Sequence, residues 1–176
     1  MRILLGAAIA LVLGAAPAAA RSGPVVEAPA GAVRGEARGD LNVFRGLPYA
    51  APPGGPRRWR PPAPAAPWEG IREATRFGPA CHQPRPRPGG LYSEELPQLS
   101  EDCLTLNIWT PAGARSAPVM VWIHGGSLAR GASHEGIYDG AALARRGVVV
   151  VSINYRLGVL GSLAHPELSA EAPPGV

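Results

Sequence analysis

Lysine is absent from this chain. All 17 basic residues are arginine, set against 13 acidic residues for a net charge of +4. A nucleic-acid-binding surface needs its basic residues clustered on one face or along one element. Here they are scattered, and the only dense group, Arg57, Arg58 and Arg60, sits among prolines. That distribution argues against a nucleic-acid partner. Long apolar runs are also missing, apart from the 14 residues Ile3–Ala16, which fall short of the ~20 needed to span a bilayer. A stable membrane anchor is therefore not expected. Charged residues are few, at 17%, while 46% are apolar, which excludes a disordered chain of low hydrophobicity and high charge. The 23 glycines and 21 prolines must then gather in loops around a real core. The length of 176 residues suits one domain and is too short for a complete α/β enzyme of several hundred residues.

The start of the chain reads as an address. Met1-Arg2 carries a positive charge, the apolar run follows, and Pro17-Ala18-Ala19-Ala20 supplies small residues in an A-x-A arrangement. This is the three-part pattern of a secretory signal peptide cleaved after Ala20; the competing reading is a membrane anchor. No cysteine follows the run to carry a lipid. Residues 1–20 are thus expected to be removed on export to the periplasm or the medium, leaving 21–176 as one partial domain.

Export makes the two cysteines informative. Cys81 and Cys103 form an even pair in an oxidising compartment. A disulfide is the expected state; two buried thiols or a metal pair are the alternatives. Two cysteines without a nearby histidine pair make a poor zinc site, so no metal is expected.

Residues 21–50 read as short strands and turns, with Gly39-Asp40 as a turn signal before Leu41–Gly46. Residues 50–67 are a Pro-rich loop that cannot hold a helix, and residues 82–100 form a second polar and Pro-rich loop. Leu104–Thr110 alternates as a half-buried strand does. Pro118–Ile123 is almost continuously apolar, as in a strand covered on both faces. Asp139 can cap a helix running to Arg146, with Gly147 beyond its end, and Val148–Ile153 reads as another buried strand. Strand, glycine loop, helix and strand compose a right-handed βαβ unit with parallel strands. The fold class is α/β.

The first strand of that unit runs into His124-Gly125-Gly126-Ser127-Leu128. Consecutive glycines at the end of a buried parallel strand present bare backbone N–H groups and permit positive φ. Two such groups aimed at one point make an oxyanion hole. A segment of the HGGG type has this role in lipases and esterases of the α/β-hydrolase fold; a glycine-rich turn without function is the bland alternative.

Surrounding motifs weigh for the functional reading. Phe44-Arg45-Gly46-Leu47-Pro48-Tyr49-Ala50 is followed by Pro52-Pro53-Gly54, Arg58-Trp59, Trp68-Glu69-Gly70 and Phe77-Gly78-Pro79-Ala80-Cys81. Then come Ser100-Glu101-Asp102-Cys103-Leu104-Thr105-Leu106-Asn107-Ile108, Tyr138-Asp139-Gly140 and Ser152-Ile153-Asn154-Tyr155-Arg156-Leu157-Gly158. In this order they resemble type B carboxylesterases, the group of cholinesterases and para-nitrobenzyl esterases, from about Val25 to about Glu171. The resemblance implies the N-terminal part of an α/β-hydrolase fold. It implies a serine carboxylic ester hydrolase of small-molecule esters, working through an acyl-enzyme without a cofactor. It assigns the oxyanion donors to the N–H groups of Gly126 and Ser127, within a motif that includes His124 and Gly125. Ser127 stands where glycine is commoner, so its donor survives if the backbone there tolerates a Cβ. The resemblance also implies a Cys81–Cys103 disulfide and an Arg45–Glu101 ion pair.

An esterase of this fold needs Gly-x-Ser-x-Gly, then an acid and a histidine. Gly125-Gly126-Ser127-Leu128-Ala129 and Gly131-Ala132-Ser133-His134-Glu135 both fail that pattern. The expectation is a chain truncated before the nucleophile elbow, lacking the catalytic serine, acid and histidine and inactive alone. A makeshift triad of Ser127 or Ser133 with His134 and Asp139 has the right residue types but nothing to expose or orient a serine. The other histidines, His82, His124 and His165, carry no such expectation. Without the neighbouring nucleophile strand, the Val119–Ile123 edge should be open and prone to aggregation. A non-catalytic exported binding or adhesion module, or an inactive gene remnant, is the competing reading.

Overall fold

A computed structural model describes residues 23–85, 96 and 98–171. The expected signal peptide and much of the 82–100 loop lie outside the described residues. The strands are β1 (Val25–Ala28), β2 (Gly31–Arg34), β3 (Glu36–Arg38), β4 (Leu41–Pro48) and β5 (Ile71–Glu73). They continue with β6 (Ala80–Cys81), β7 (Leu99–Ser100), β8 (Thr105–Pro111), β9 (Val119–Ile123) and β10 (Val149–Ile153). The helices are short: α1 (Ala141–Ala144), α2 (Val159–Ser162) and α3 (Pro166–Glu171). None among the described residues is long and apolar enough to cross a membrane.

The main sheet has the order β3-β4-β8-β10-β9. Gly39, at φ +61, turns β3 into antiparallel β4, as the Gly39-Asp40 signal predicts. β4 pairs antiparallel with β8, and β8 with β10. β10 and β9 run parallel, Val149 opposite Val119 through Ile153 opposite Ile123, as a βαβ crossover requires. The predicted helix 139–146 is shorter than expected. Gly140 takes the N-cap position, and the Asp139 carboxylate accepts from the Ala141 N–H at 2.8 Å. Gly147, at φ +90, follows the helix.

β8 alternates as predicted, with Thr105, Asn107 and Trp109 buried. Trp109 packs with Leu41, Val43, Ala144 and Val150 into a core between sheet and helix. β4 meets β8 with a bulge between Phe44 and Leu47. Gly46 sits in it at φ +67, where a Cβ would come within 2.6 Å of the Arg76 carbonyl oxygen. The Phe-Arg-Gly-Leu run is thus a strand interrupted where only glycine fits.

β9 departs from the expected burial on both faces and has the expected open edge. Its five residues are exposed, from 43% to 62%. It is the sheet's edge, and no described residue pairs with its outer side. Its apolar sequence reports suitability for burial; among the described residues the Tyr138 ring lies 5.3 Å from the Trp122 ring, and all five residues stay exposed.

Cys81 and Cys103 form a disulfide, closing a loop that constrains the unfolded chain by about 3 kcal/mol. Both cysteines lie in a second core cluster with Ala50, Leu104 and Leu157, against which Tyr155 packs.

Candidate functional site

Because β9 and β10 are parallel, the segments leaving them emerge at the same end of the sheet. His124–Leu128 follows β9 and Asn154–Gly158 follows β10, and the second holds the first at both ends. The Tyr155 ring stacks on His124 at 4.5 Å and 19°, and its hydroxyl donates to the His124 carbonyl at 2.7 Å. Burial pushes the Tyr155 phenol above its ordinary range, so it remains a donor. At the other end the Gly158 N–H donates to the Leu128 carbonyl at 2.6 Å.

Between these anchors the backbone is left-handed. Gly126 has φ +120, Ser127 +56 and Leu128 +58. The Gly126 carbonyl accepts from the N–H groups of Ala129 and Arg130, at 3.0 and 3.1 Å, closing the turn. A Cβ on Gly126 would collide with the Arg130 carbonyl. No described residue accepts a hydrogen bond from the N–H of Gly126 or of Ser127. Ser127 keeps its backbone donor, but at a φ that costs an L-residue roughly 1 kcal/mol. Ser127→Gly is therefore expected to raise the denaturation midpoint of the complete gene product by the equivalent of about 1 kcal/mol. An unchanged or lowered midpoint would contradict this account of the strain.

A buried polar network supports the turn from behind. The Asn107 amide nitrogen donates to the hydroxyls of Ser133 and Ser152, at 3.0 and 3.1 Å, and its oxygen accepts from the Gly46 N–H at 3.0 Å. The Ser152 hydroxyl donates to the Ser133 carbonyl at 3.0 Å, and the Ser133 N–H to Asn154 Oδ1 at 2.8 Å. Gln83 grips Gly131 twice, Nε2 donating to its carbonyl at 2.9 Å and Oε1 accepting from its N–H at 2.8 Å. Gly131, at φ +110, has no room for a Cβ against His124 and the Gly125 carbonyl oxygen. Asn107, Asn154 and Gln83 were not among the candidates from sequence. The signal available was Asn107 amid an apolar alternation, where a buried amide demands partners.

His124 is buried, and burial depresses its pKa; the contact with Gly125 opposes that shift and does not cancel it. Its Nδ1 lies 2.8 Å from the Gly125 carbonyl oxygen. A carbonyl only accepts, so Nδ1 carries the proton of the neutral ring. The unfolded histidine titrates near 6.5. Above that pH the neutral ring's contribution to stability is fully present. As pH falls below it the unfolded chain binds the proton first, and stability declines until the folded pKa is passed. His124→Asn should flatten that part of the stability–pH profile, read as the difference between the two profiles. Parallel profiles would refute this assignment.

Two expectations require correction or restatement. Arg45 and Glu101 do not pair. Arg45 reaches from β4 to Glu36, Nη1 to Oε2 at 2.9 Å, and Glu101 is held by a bidentate Arg58. The reason is placement: Arg45 is nine-tenths buried beside β3, while Glu101 stands at the disulfide loop next to Gly54. The makeshift triad is not assembled around a reactive serine. The Ser133 hydroxyl is buried and accepts from Asn107, and the Asp139 carboxylate serves the helix N-terminus. His134 is 5.7 Å from the Phe77 ring, and His82 and His165 are exposed. Among the described residues no three His, Cys, Asp or Glu side chains converge as a metal would need.

The profile of the Carboxylesterase family matches residues 22–173. The fumonisin B1 esterase of Sphingopyxis macrogoltabida is 51% identical over 149 residues, 83% of this chain and 27% of that protein. The para-nitrobenzyl esterase of Bacillus subtilis (strain 168) is 43% identical over 141 residues, 79% of this chain and 29% of that protein. A solved structure of PNB esterase superposes with a TM-score of 0.76 at 40% identity, over 83% of this chain and 30% of that one. The chain thus spans under a third of the length of these relatives and carries part of their α/β-hydrolase fold. With the motifs in order and the sheet superposing on PNB esterase, the chain belongs to the carboxylesterase family.

Proposed function

We propose that this chain is the oxyanion-bearing N-terminal part of an exported serine carboxylic ester hydrolase. The observation that carries the reading is the doubly anchored left-handed turn, whose Gly126 and Ser127 N–H groups have no acceptor among the described residues. In the proposed reaction a histidine takes the proton of a serine hydroxyl as its oxygen attacks the ester carbonyl, and the carbonyl π electrons move onto the carbonyl oxygen. The two N–H groups donate to that oxyanion, which they hold more strongly than the ground-state carbonyl oxygen. The alcohol leaves with a proton from the histidine, and water then hydrolyses the acyl-enzyme. Serine, acid and histidine come from outside these 176 residues, which contain no Gly-x-Ser-x-Gly. The cleft of about 260 Å³ lined by Tyr49, Leu104, Leu128 and Tyr155 is suited to part of a small-molecule ester. Oxyanion stabilisation and the acyl-enzyme need no cofactor. Export rests on the Met1–Ala20 pattern.

The test compares the complete gene product with the 176-residue chain on p-nitrophenyl acetate and butyrate. Turnover by the complete product, abolished by an organophosphate serine reagent, and none by the chain are the expected results. Turnover by the chain alone, or none by the complete product, refutes the reading. N-terminal sequencing of the secreted protein should begin at Arg21.

A further inference from the structure

The direction of the Gly126 donor is set by a carbonyl that points the other way. No peptide bond among the described residues is cis, and across a trans peptide the C=O and the N–H face opposite sides. The Gly126 N–H therefore points away from the Gly125 carbonyl, whose oxygen accepts from His124 Nδ1 at 2.8 Å. Gly131 packs against that same oxygen: a Cβ on Gly131 would stand 2.6 Å from it and against the His124 ring. Arg130 bears on Gly126 itself. Its N–H donates to the Gly126 carbonyl at 3.1 Å, and its own carbonyl oxygen fills the space a Gly126 Cβ would take. The Arg130–Gly131 backbone is thus the floor on which the donor rests.

Gln83 fixes that floor. Its Oε1 accepts from the Gly131 N–H at 2.8 Å, and its Nε2 donates to the Gly131 carbonyl at 2.9 Å. The Gly131 N–H shares a peptide plane with the Arg130 carbonyl, so the first bond also sets the direction of the oxygen that packs against Gly126. Glycine has more backbone freedom than any other residue, and one amide matched to both polar groups of Gly131 removes it at φ +110. The amide is itself tethered. Nε2 also donates to the Cys81 carbonyl at 3.1 Å, and Cys81 is bonded to Cys103, two residues before β8.

We infer that Gln83 is a positioning residue of the oxyanion hole: its two hydrogen bonds to Gly131 hold the Gly125 and Arg130 carbonyls, and so the Gly126 N–H, in the donating orientation. The inference rests on the ester hydrolase reading proposed above. It gives the disulfide loop a part in the chemistry, although Gln83 acts only through the backbone of Gly131.

The test uses Gln83→Leu and Gln83→Asn in the complete gene product. Leucine removes both hydrogen bonds; asparagine keeps the amide but is one methylene too short to span Gly131. Reactive serines are counted by the p-nitrophenolate released from diethyl p-nitrophenyl phosphate, so that kcat is expressed per competent site. For p-nitrophenyl acetate, kcat should fall about tenfold or more in both variants while KM changes less than about twofold. Inhibition by an alkyl trifluoromethyl ketone, whose serine adduct carries an oxyanion, should weaken in parallel with kcat. Where Gln83→Leu fails to fold, Gln83→Asn decides. A lowered denaturation midpoint with kcat per site and ketone inhibition unaltered makes Gln83 a merely structural residue and overturns the inference, as does a change confined to KM. No turnover by the unsubstituted product refutes the hydrolase reading, and this inference falls with it; turnover that both variants retain in full refutes this inference alone.

Discussion

Gly126→Ala is expected to lower kcat for p-nitrophenyl acetate in the complete gene product by about 10²–10³, the usual consequence of losing one oxyanion donor. At φ +120 an alanine is strained whatever space it has, and here its Cβ meets the Arg130 carbonyl. Relief of that clash must rotate the turn closed by Ala129 and Arg130, and the N–H groups of Gly126 and Ser127 rotate with it. The loss should fall on kcat far more than on KM, because the interaction strengthens as the carbonyl oxygen acquires charge. Gly125→Ala is the control. A Cβ there meets nothing within 4 Å, and Gly125 is not among the positive-φ residues. It should keep most of the activity. Equal effects of the two substitutions would show that glycine content, and not the conformation of Gly126, governs the segment.

Asn107→Ala should destabilise the protein by roughly 3–5 kcal/mol, since each buried polar group left unmatched costs about 1–3 kcal/mol. The substitution strips the Gly46 N–H of its acceptor and the Ser133 and Ser152 hydroxyls of their shared donor. These groups belong to the β4 bulge, the loop behind the glycine turn and β10, so one side chain joins three segments remote in sequence. Denaturant unfolding of the complete gene product reads the loss. Ser152→Ala, which removes one hydroxyl and leaves Asn107 two partners, should cost less. A loss below about 1 kcal/mol for Asn107→Ala would mean that water or a repacked neighbour satisfies the site.

Much of this architecture is legible in local chemistry. Gly39-Asp40 announces its turn, Leu104–Thr110 announces its half-buried face, and the strand–loop–helix–strand run announces the parallel β9–β10 pair. The conformation of the glycine turn was also legible, because glycine permits the positive φ that Gly126 adopts. Partner choice was harder to read. Arg45 takes Glu36 nine residues away, and Arg58 takes Glu101 across 43 residues; charge alone does not say which carboxylate each side chain can reach. Asn107 is hidden for the same reason, its partners being 26, 45 and 61 residues distant. The exposure of β9 shows the converse limit. Five apolar residues in a row state that a strand can be covered, but what covers it is a property of the assembled sheet.

The sheet order also sets a schedule. β9 is made before β10, yet its described neighbour is β10, which itself lies against β8. Twenty-five residues separate Ile123 from Val149, and at about 5–20 residues per second a ribosome takes about 1–5 s to cross them. During that interval Val119–Ile123 has left the peptidyl-transferase centre with no strand to join. The window is long compared with hydrophobic collapse, which takes microseconds. The segment that becomes the glycine turn is synthesised inside it. Wherever the chain emerges N-terminus first, β9 therefore precedes β10 by 25 residues, and this apolar strand stays open to chaperones until β10 follows to seat it.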